Sequence, residues 1–202
     1  MINSKDNIIS SLNPMTQFLR LRQVNGSPDN LMNDLTKRFF AHYRYKRLDL
    51  GEGFLPTSHQ FIRHTTEGQV TGNTPDGHRA GTPLADSIAA VNGKATEGPT
   101  RMLISAASFD QSMVYGIPVL NLSISKDFRP EVLRALIEGY FKMGGTQMQL
   151  TYVDRETLLD AKRNPDAHED LVVRVGGYSD YFVNLSPALR KAVVERNVHE
   201  LG

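Results

Sequence analysis

The sequence predicts an α/β fold, in which strands and helices alternate along the chain. Residues 117–124 and 146–153 alternate apolar with polar side chains, the period of two that is typical of strands. Between them, residues 130–143 follow a proline start and carry apolar side chains at helical spacing. This alternation of strand and helix predicts an α/β architecture.

Length and composition limit the classes of protein to which the chain can belong. Its 202 residues suffice for one domain or slightly more, with a hydrophobic fraction of 40% and a charged fraction of 22%. A net charge of +1 argues against binding to nucleic acid or a membrane surface, and no apolar run is long enough to span a bilayer. The first residues lack the pattern of a signal peptide, so we expect a cytoplasmic protein.

The chain divides into an N-terminal extension, residues 1–28, and a domain, residues 29–202. The extension has no recognisable pattern, and we expect it to be flexible or to dock on a partner. A Ser-Pro-Asp sequence from residue 27 predicts the start of a helix. Four apolar residues of that helix follow at i, i+4 spacing and predict a core-facing stripe: Leu31, Leu35, Phe39 and Tyr43.

The middle of the chain contains a loop-rich segment followed by regular elements. Residues 51–81 are dense in turn formers, with a β-turn predicted at Pro75, Asp76 and Gly77. Residues 101–106 predict a strand. The helix of residues 130–143 is expected to end at Gly144 and Gly145. Its predicted inward side chains are Leu133, Leu136, Ile137 and Tyr140.

The two longer predicted strands each have one apolar and one polar face. Asn121 and Ser123 share the polar face of the first strand, and Gln149 lies on that of the second. The opposite face of the second strand carries Leu150 and Tyr152. In a sheet with one solvated face, the polar side chains would simply contact water.

Two further helices and a glycine pair are predicted near the C-terminus. Asp154 is expected to cap a short helix, and Ser186 with the following proline to begin a last helix that ends near His199. Gly176 and Gly177 lie on a loop between an apolar β-branched strand and that last helix. Local sequence alone indicates a tight turn there, because glycine adopts positive φ at little steric cost.

The remaining polar residues form no recognisable metal or hydrolytic site. The histidines lack metal-ligand spacing, and no serine, histidine and acid constellation can be assigned. Asp154, Glu156 and Asp160 are explained by helix capping and solvated helix faces. The histidines in question are His42, His59, His64, His78, His168 and His199.

Four segments, in order along the chain, resemble the C-terminal glycine radical domain of the glycyl radical enzymes. The resemblance extends from about residue 30 to the end, and it looks closer to the diol dehydratase, choline lyase and decarboxylase branch than to pyruvate formate-lyase. The segments are residues 74–86, residues 98–100, residues 153–161 and the loop of Arg174, Val175, Gly176, Gly177, Tyr178 and Ser179.

The resemblance implies that Gly177 carries an organic radical after losing a Cα hydrogen. A Cα radical is planar and delocalised into both flanking amides, and a β-carbon would clash with that planarity. An activating enzyme that uses S-adenosylmethionine and a [4Fe–4S] cluster would install the radical. It would recognise the neighbouring residues Arg174, Val175, Gly176, Tyr178 and Ser179. The cluster would belong to that partner, because this chain has no cysteine to ligate one, and we expect the chain itself to bind no cofactor or metal.

The resemblance also implies a fold and a chamber. The chain would form the C-terminal part of a ten-stranded α/β barrel, with Gly177 on a strand-to-helix loop. Inner faces of the strands line the reaction chamber in this family. Asn121, Ser123 and Gln149 would therefore line it, and Asn121 is the best candidate to contact substrate.

The complete absence of cysteine decides what the 202 residues could do alone. Members of the family pass the radical from glycine to a cysteine, whose thiyl radical attacks substrate. We therefore expect an oxygen-sensitive, lyase-type function in anaerobic metabolism that needs a larger, cysteine-bearing partner chain. Two alternatives stay open: a spare-part protein that rescues an oxygen-cleaved enzyme, and a non-catalytic truncated remnant. The sequence does not indicate the substrate.

Overall fold

The computed structural model describes residues 28–46, 51, 53–60, 62–74, 77–196 and 198–199, so the predicted extension lies outside it except for its last residue. The helices are α1 Pro28–Tyr45, α2 Arg63–Val70, α3 Gly98–Ala106, α4 Pro130–Lys142, α5 Arg155–Arg163 and α6 Pro187–Val194. The strands are β1 Asn121–Ile124, β2 Gln149–Tyr152, β3 Val172–Arg174, β4 Ser179–Tyr181 and β5 Val198–His199.

The predicted α/β architecture is confirmed by a three-stranded parallel sheet with the order β2-β1-β5. In its central ladder Asn121 is the register partner of Gln149, and Ile124 is that of Tyr152. Parallel strands need crossover connections, and α4 supplies the one between β1 and β2. A separate antiparallel pair is formed by β3 and β4. No helix among the described residues is long and apolar enough to cross a membrane.

The polar faces predicted for β1 and β2 do not contact water as a solvated face would. All four residues of β1 are buried, including Asn121 and Ser123, because apolar side chains cover one face and the Asp86 segment lies on the other. In β2 the prediction is reversed, since Gln149 is buried while Leu150 and Tyr152 are exposed.

The predicted strand of residues 101–106 is wrong, because this segment belongs to α3. Pro99 lies in the first turn of the helix, where a missing N–H costs no hydrogen bond. Met102, Leu103 and Ala106 are buried at helical spacing, and all three are strong helix formers. The single β-branched residue, Ile104, is partly exposed and does not outweigh them.

The start predicted for α1 is confirmed, but its predicted stripe is not. Among the described side chains of this helix Thr36 and Phe40 are buried, whereas Leu35 is exposed. Phe39 packs against the core only in part, and the side chain of Leu31 lies outside the described residues. Near the predicted turn, the Gly77 amide donates to the carbonyl oxygen of Thr74 (2.9 Å), while residues 75–76 lie outside the described residues.

Helix α4 agrees with the prediction at both ends. It begins at Pro130 and stops before Gly144, whose φ of +98° favours glycine. Tyr140 is fully buried, and Leu133 and Leu136 pack against the same core. A second apolar cluster forms between α5, α6 and strand β3.

The two C-terminal helices differ from the prediction in detail. Asp154 occupies the N-cap position of α5, but its side chain accepts a hydrogen bond from the Lys126 backbone amide (3.1 Å) instead of capping. Ser186 does cap α6, accepting from the Leu189 amide. This helix ends at Val194, and His199 belongs to β5, because the chain turns back to join the parallel sheet.

Candidate functional site

The two glycines lie at the tip of a hairpin, which we call the glycine hairpin (residues 172–181). In its ladder Arg174 pairs with Ser179, and the Val175 amide donates to the Tyr178 carbonyl oxygen (2.9 Å). The prediction of a loop running directly from strand to helix is therefore corrected: β4 and a short 3-10 turn precede α6. A hairpin fits this sequence because two glycines permit the tight reversal.

Gly177 has the backbone conformation that most restricts the choice of residue. Its φ is +90°, in the left-handed region that residues with a β-carbon adopt at a cost. It follows Gly176 as the second central residue of the turn, the position at which type II turns require glycine. Gly176 is buried and Gly177 is exposed, so the Gly177 residue is the accessible one of the pair.

Gln149 and Arg174 hold the two amides that flank the Cα of Gly177. The Gly177 N–H donates to Oε1 of Gln149 (3.1 Å), and its carbonyl oxygen accepts from Nη2 of Arg174 (3.3 Å). The same Gln149 oxygen accepts from Nε of Arg174 (3.2 Å), so the three groups form one closed network. Because both donors point at one oxygen, the orientation of the Gln149 amide is fixed by its partners.

The other predicted recognition residues divide between the surface and the interior. Nη1 of Arg174 donates to Oγ of Ser179 (3.1 Å), which ties the two strands of the hairpin together. Tyr178 is 40% exposed and Ser179 is exposed, so both can be reached from solvent. Val175 is fully buried in the second apolar cluster, so it anchors the hairpin and presents no side chain to a partner.

A buried ion pair beneath the hairpin involves two residues that the sequence did not single out, Asp86 and Arg196. Arg196 donates to the backbone carbonyl oxygens of Arg174 and Val175, and its Nη2 lies 2.9 Å from Oδ2 of Asp86. The same carboxylate oxygen accepts from Nδ2 of Asn121 (2.8 Å). Asp86 ends one of the segments that carry the family resemblance, which was an available signal; Arg196 had none.

Asn121 and Ser123, which were predicted to line a chamber, border a cavity of about 20 Å³ beside Arg196 and Met102. This volume accommodates about one water molecule. Oδ1 of Asn121 is buried there without a hydrogen-bond partner. Gln149 does not border this cavity, since its side chain points to the hairpin.

The charges near the site leave no cluster suited to a metal ion. Among the described residues, no group of three histidine, aspartate or glutamate side chains could hold one.

His64 is buried close to the ion pair. Burial lowers its pKa below the ordinary value, while the Asp86 carboxylate raises this pKa and Arg196 lowers it further.

Comparison with known proteins places this hairpin in a family. Residues 84–183, which include Asp86, Gln149 and the whole glycine hairpin, match the family model described as "Glycine radical". This chain belongs to the glycyl radical family.

The glycyl radical relatives include dehydratases and, in Oleidesulfovibrio alaskensis, an isethionate sulfite-lyase that is 33% identical over 150 residues, covering 69% of this chain and 18% of that protein. The probable dehydratase YbiW of Escherichia coli (strain K12) is 32% identical over 204 residues, covering 91% of this chain and 25% of that protein. The trans-4-hydroxy-L-proline dehydratase of Clostridioides difficile is 32% identical over 142 residues, covering 66% of this chain and 17% of that protein.

Solved structures give the same assignment. A structure on 1,2-propanediol dehydration in Roseburia inulinivorans superimposes with a TM-score of 0.81 at 28% identity, over 92% of this chain and 24% of that chain. This glycyl radical chain thus spans about a quarter or less of the length of these relatives.

Proposed function

We propose that Gly177 stores a glycyl radical for a lyase or dehydratase of the glycyl radical type. The observation that carries the proposal is the pair of hydrogen bonds that hold the N–H and the carbonyl oxygen of Gly177. A radical at this Cα is stabilised by delocalisation into its two flanking amides. Groups that fix both amides therefore hold the part of the backbone over which the unpaired electron spreads.

The residue and its exposure support hydrogen removal by an outside partner. Gly177 is exposed at the hairpin tip, beside the exposed Tyr178 and Ser179. We propose that an activating enzyme recognises this tip and removes one hydrogen atom from the Cα of Gly177, using S-adenosylmethionine and a [4Fe–4S] cluster. The cluster belongs to that enzyme, because the 202 residues contain no cysteine thiolate to bind iron.

The thiol that attacks substrate must come from outside these residues. The sequence contains no cysteine, so no conformation of it can bring a thiol to Gly177. We propose that a cysteine-bearing polypeptide completes a ten-stranded α/β barrel around the glycine hairpin. Asn121, Ser123 and Gln149 then lie on the chamber side of that barrel. This proposal predicts that radical storage and substrate turnover can be separated.

Electron paramagnetic resonance after anoxic activation tests the proposal. With a matching activating enzyme, S-adenosylmethionine and a reductant, the protein should give a carbon-centred signal that Gly177→Ala abolishes. Substitution of [2-¹³C]glycine for all glycines should broaden the signal. An unchanged signal in Gly177→Ala would assign the radical to another residue and reject the proposal.

Turnover is tested in a second arm of the same experiment. The activated 202-residue protein alone should consume no substrate of the dehydratases and lyases that it resembles. Addition of a polypeptide with the cysteine loop should start turnover, and replacement of that cysteine by serine should stop it while the Gly177 signal persists. Turnover by the activated chain alone would contradict the requirement for an external thiol.

A further inference from the structure

We infer that Arg196 and Asp86 form a clamp that positions the glycine hairpin on the parallel sheet. The guanidinium of Arg196 donates to the carbonyl oxygens of Arg174 and Val175, which lie directly before the glycine pair. Its Nη2 also donates to the Asp86 carboxylate, 110 residues away in sequence. One side chain thus connects the hairpin backbone to a distant loop.

Burial makes this contact different from a surface ion pair. The side chains of Arg196 and Asp86 are only 9% and 8% exposed. Exposed ion pairs contribute little, whereas removing one partner of a buried pair leaves an uncompensated charge. The planar guanidinium also suits this position, because its fixed donors can reach two carbonyl oxygens and a carboxylate together, which an ammonium group does less well.

The sheet supports the clamp from the other side. Asn121 and Gln149 are register partners in the β1–β2 ladder. Asn121 donates to Asp86, and Gln149 accepts from the Gly177 amide. The contacts therefore form a closed ring from the hairpin through Gln149, Asn121, Asp86 and Arg196 back to the hairpin. Loss of any member should loosen the glycine tip before it loosens the sheet.

Arg190 provides a matched control on the neighbouring helix α6. Its guanidinium also donates to two backbone carbonyl oxygens, those of Leu185 (2.8 Å) and Val183. These carbonyls lie beyond the hairpin, in the segment that leads to α6. Arg190→Lys therefore removes a similar fork of donors without touching the backbone around Gly177.

Amide hydrogen exchange measured by nuclear magnetic resonance tests the clamp. In Arg196→Lys and Asp86→Asn, exchange at the Gly177 and Val175 amides should accelerate by at least about tenfold, the effect of losing one charged hydrogen bond. The Val153 amide, which donates to Ile124 in the parallel sheet, should accelerate much less. Arg190→Lys should leave Gly177 unchanged. Equal acceleration at Val153 and Gly177, or none at Gly177, would overturn the inference.

A milder variant covers the case in which those substitutions prevent folding. Asn121→Ser removes the second donor to Asp86 while Arg196 stays in place. It should give a smaller acceleration that is again confined to the hairpin. Unchanged exchange at Gly177 in a folded Asn121→Ser protein would contradict the closed ring.

The effect of the clamp on the radical rests on the proposed function and needs its own measurement. In Arg196→Lys the activated signal should decay several-fold faster than in the unsubstituted protein, because the two amides that flank the Cα of Gly177 are held less firmly by Gln149 and Arg174. An equal decay rate would overturn this functional role. A protein whose amides exchange as expected but which gives no signal at all would instead reject the radical on Gly177. The exchange data would still show whether Arg196 and Asp86 position the hairpin.

Discussion

The side-chain oxygen of Gln149 lies 3.1 Å from the amide nitrogen of Gly177, although 28 residues separate them in sequence. This contact joins the edge strand of the parallel sheet to the tip of the glycine hairpin. The same oxygen also accepts from Arg174, whose guanidinium reaches the carbonyl oxygen of Gly177. A single buried glutamine therefore holds one of the two amides around this α-carbon directly and the other through Arg174.

Replacement of Gln149 by leucine should weaken the hairpin and the radical together. The Gly177 amide and Nε of Arg174 both lose their acceptor, so the free energy of unfolding should fall by about 1–3 kcal/mol. Denaturant unfolding measures this loss, and electron paramagnetic resonance should show a lower radical yield.

Gln147→Leu is the control for that substitution. Oε1 of Gln147 also accepts a backbone amide, that of Leu120, but this bond lies away from the hairpin. The control should lose stability to a similar extent and keep its radical yield. Equal yields in the two variants would show that Gln149 has no special role at Gly177.

Two glycines around α4 should respond oppositely to alanine. Gly139 lies inside the helix with open space around the site of a β-carbon, so Gly139→Ala should stabilise the protein by up to about 1 kcal/mol. In Gly145→Ala the new carbon would lie 2.3 Å from the ring of the buried Tyr140, and the protein should lose stability. Thermal unfolding checks both signs: a stabilised Gly145→Ala protein would contradict the packing of Tyr140, and a destabilised Gly139→Ala protein would contradict the open space at Gly139.

Acid should destabilise the protein through its buried histidines. Burial lowers the pKa of His64 and of His199 below their ordinary value of 6.5. In the unfolded chain both bind protons near that pH, whereas in the folded chain they stay neutral to lower pH. Stability should therefore fall as the pH drops below about 6.5, by up to about 1.4 kcal/mol per pH unit for each histidine, and level off below the folded pKa.

A double substitution checks the source of this pH dependence. His64→Gln with His199→Gln removes both groups, so unfolding measured by denaturant at pH 5 and at pH 7 should differ less than in the unsubstituted protein. An equally steep dependence in the double variant would mean that other groups dominate the response to acid.

Local signals in the sequence were enough for some elements. Helix α4 was predicted at both ends because a proline begins it and a positive-φ glycine follows it. The helix α3 was mistaken for a strand because a short apolar segment satisfies either period. The sequence singled out Arg174, Gly177 and Ser179, but it predicted a loop from strand to helix, and the hairpin that joins the three by hydrogen bonds was not predicted.

The remainder depends on contacts between distant segments. Whether Asn121 or Leu150 is buried is decided by what covers the second face of the sheet, and this is not encoded in the strand itself. Arg196 and Asp86 are 110 residues apart and follow no shared motif. The sequence pattern could single out Gly177, but only the fold reveals that Gln149 and Arg174 hydrogen-bond to it.

The exposed apolar surface of the sheet should drive association. Leu150 and Tyr152 on the outer strand β2 are 37% and 52% exposed, and Ile117 is 62% exposed. Outer strands with exposed apolar side chains favour pairing with another chain. We expect the isolated protein to self-associate or to bind a large partner, with strong binding of a hydrophobic dye.

Sedimentation and dye fluorescence measure this association. Leu150→Thr with Ile117→Ser should reduce both without loss of the fold. A stable monomer with little dye binding before any substitution would contradict the proposed need for a further polypeptide.

Oxygen cleavage mapped by mass spectrometry is the most direct test of the radical on Gly177. Oxygen adds to a Cα radical and breaks the backbone at that residue. After anoxic activation and exposure to air, the protein should yield an N-terminal fragment that ends near Gly176, and samples that were never activated should stay intact. Activated protein that remains whole in air, or that breaks at another residue, would contradict the assignment of the radical to Gly177.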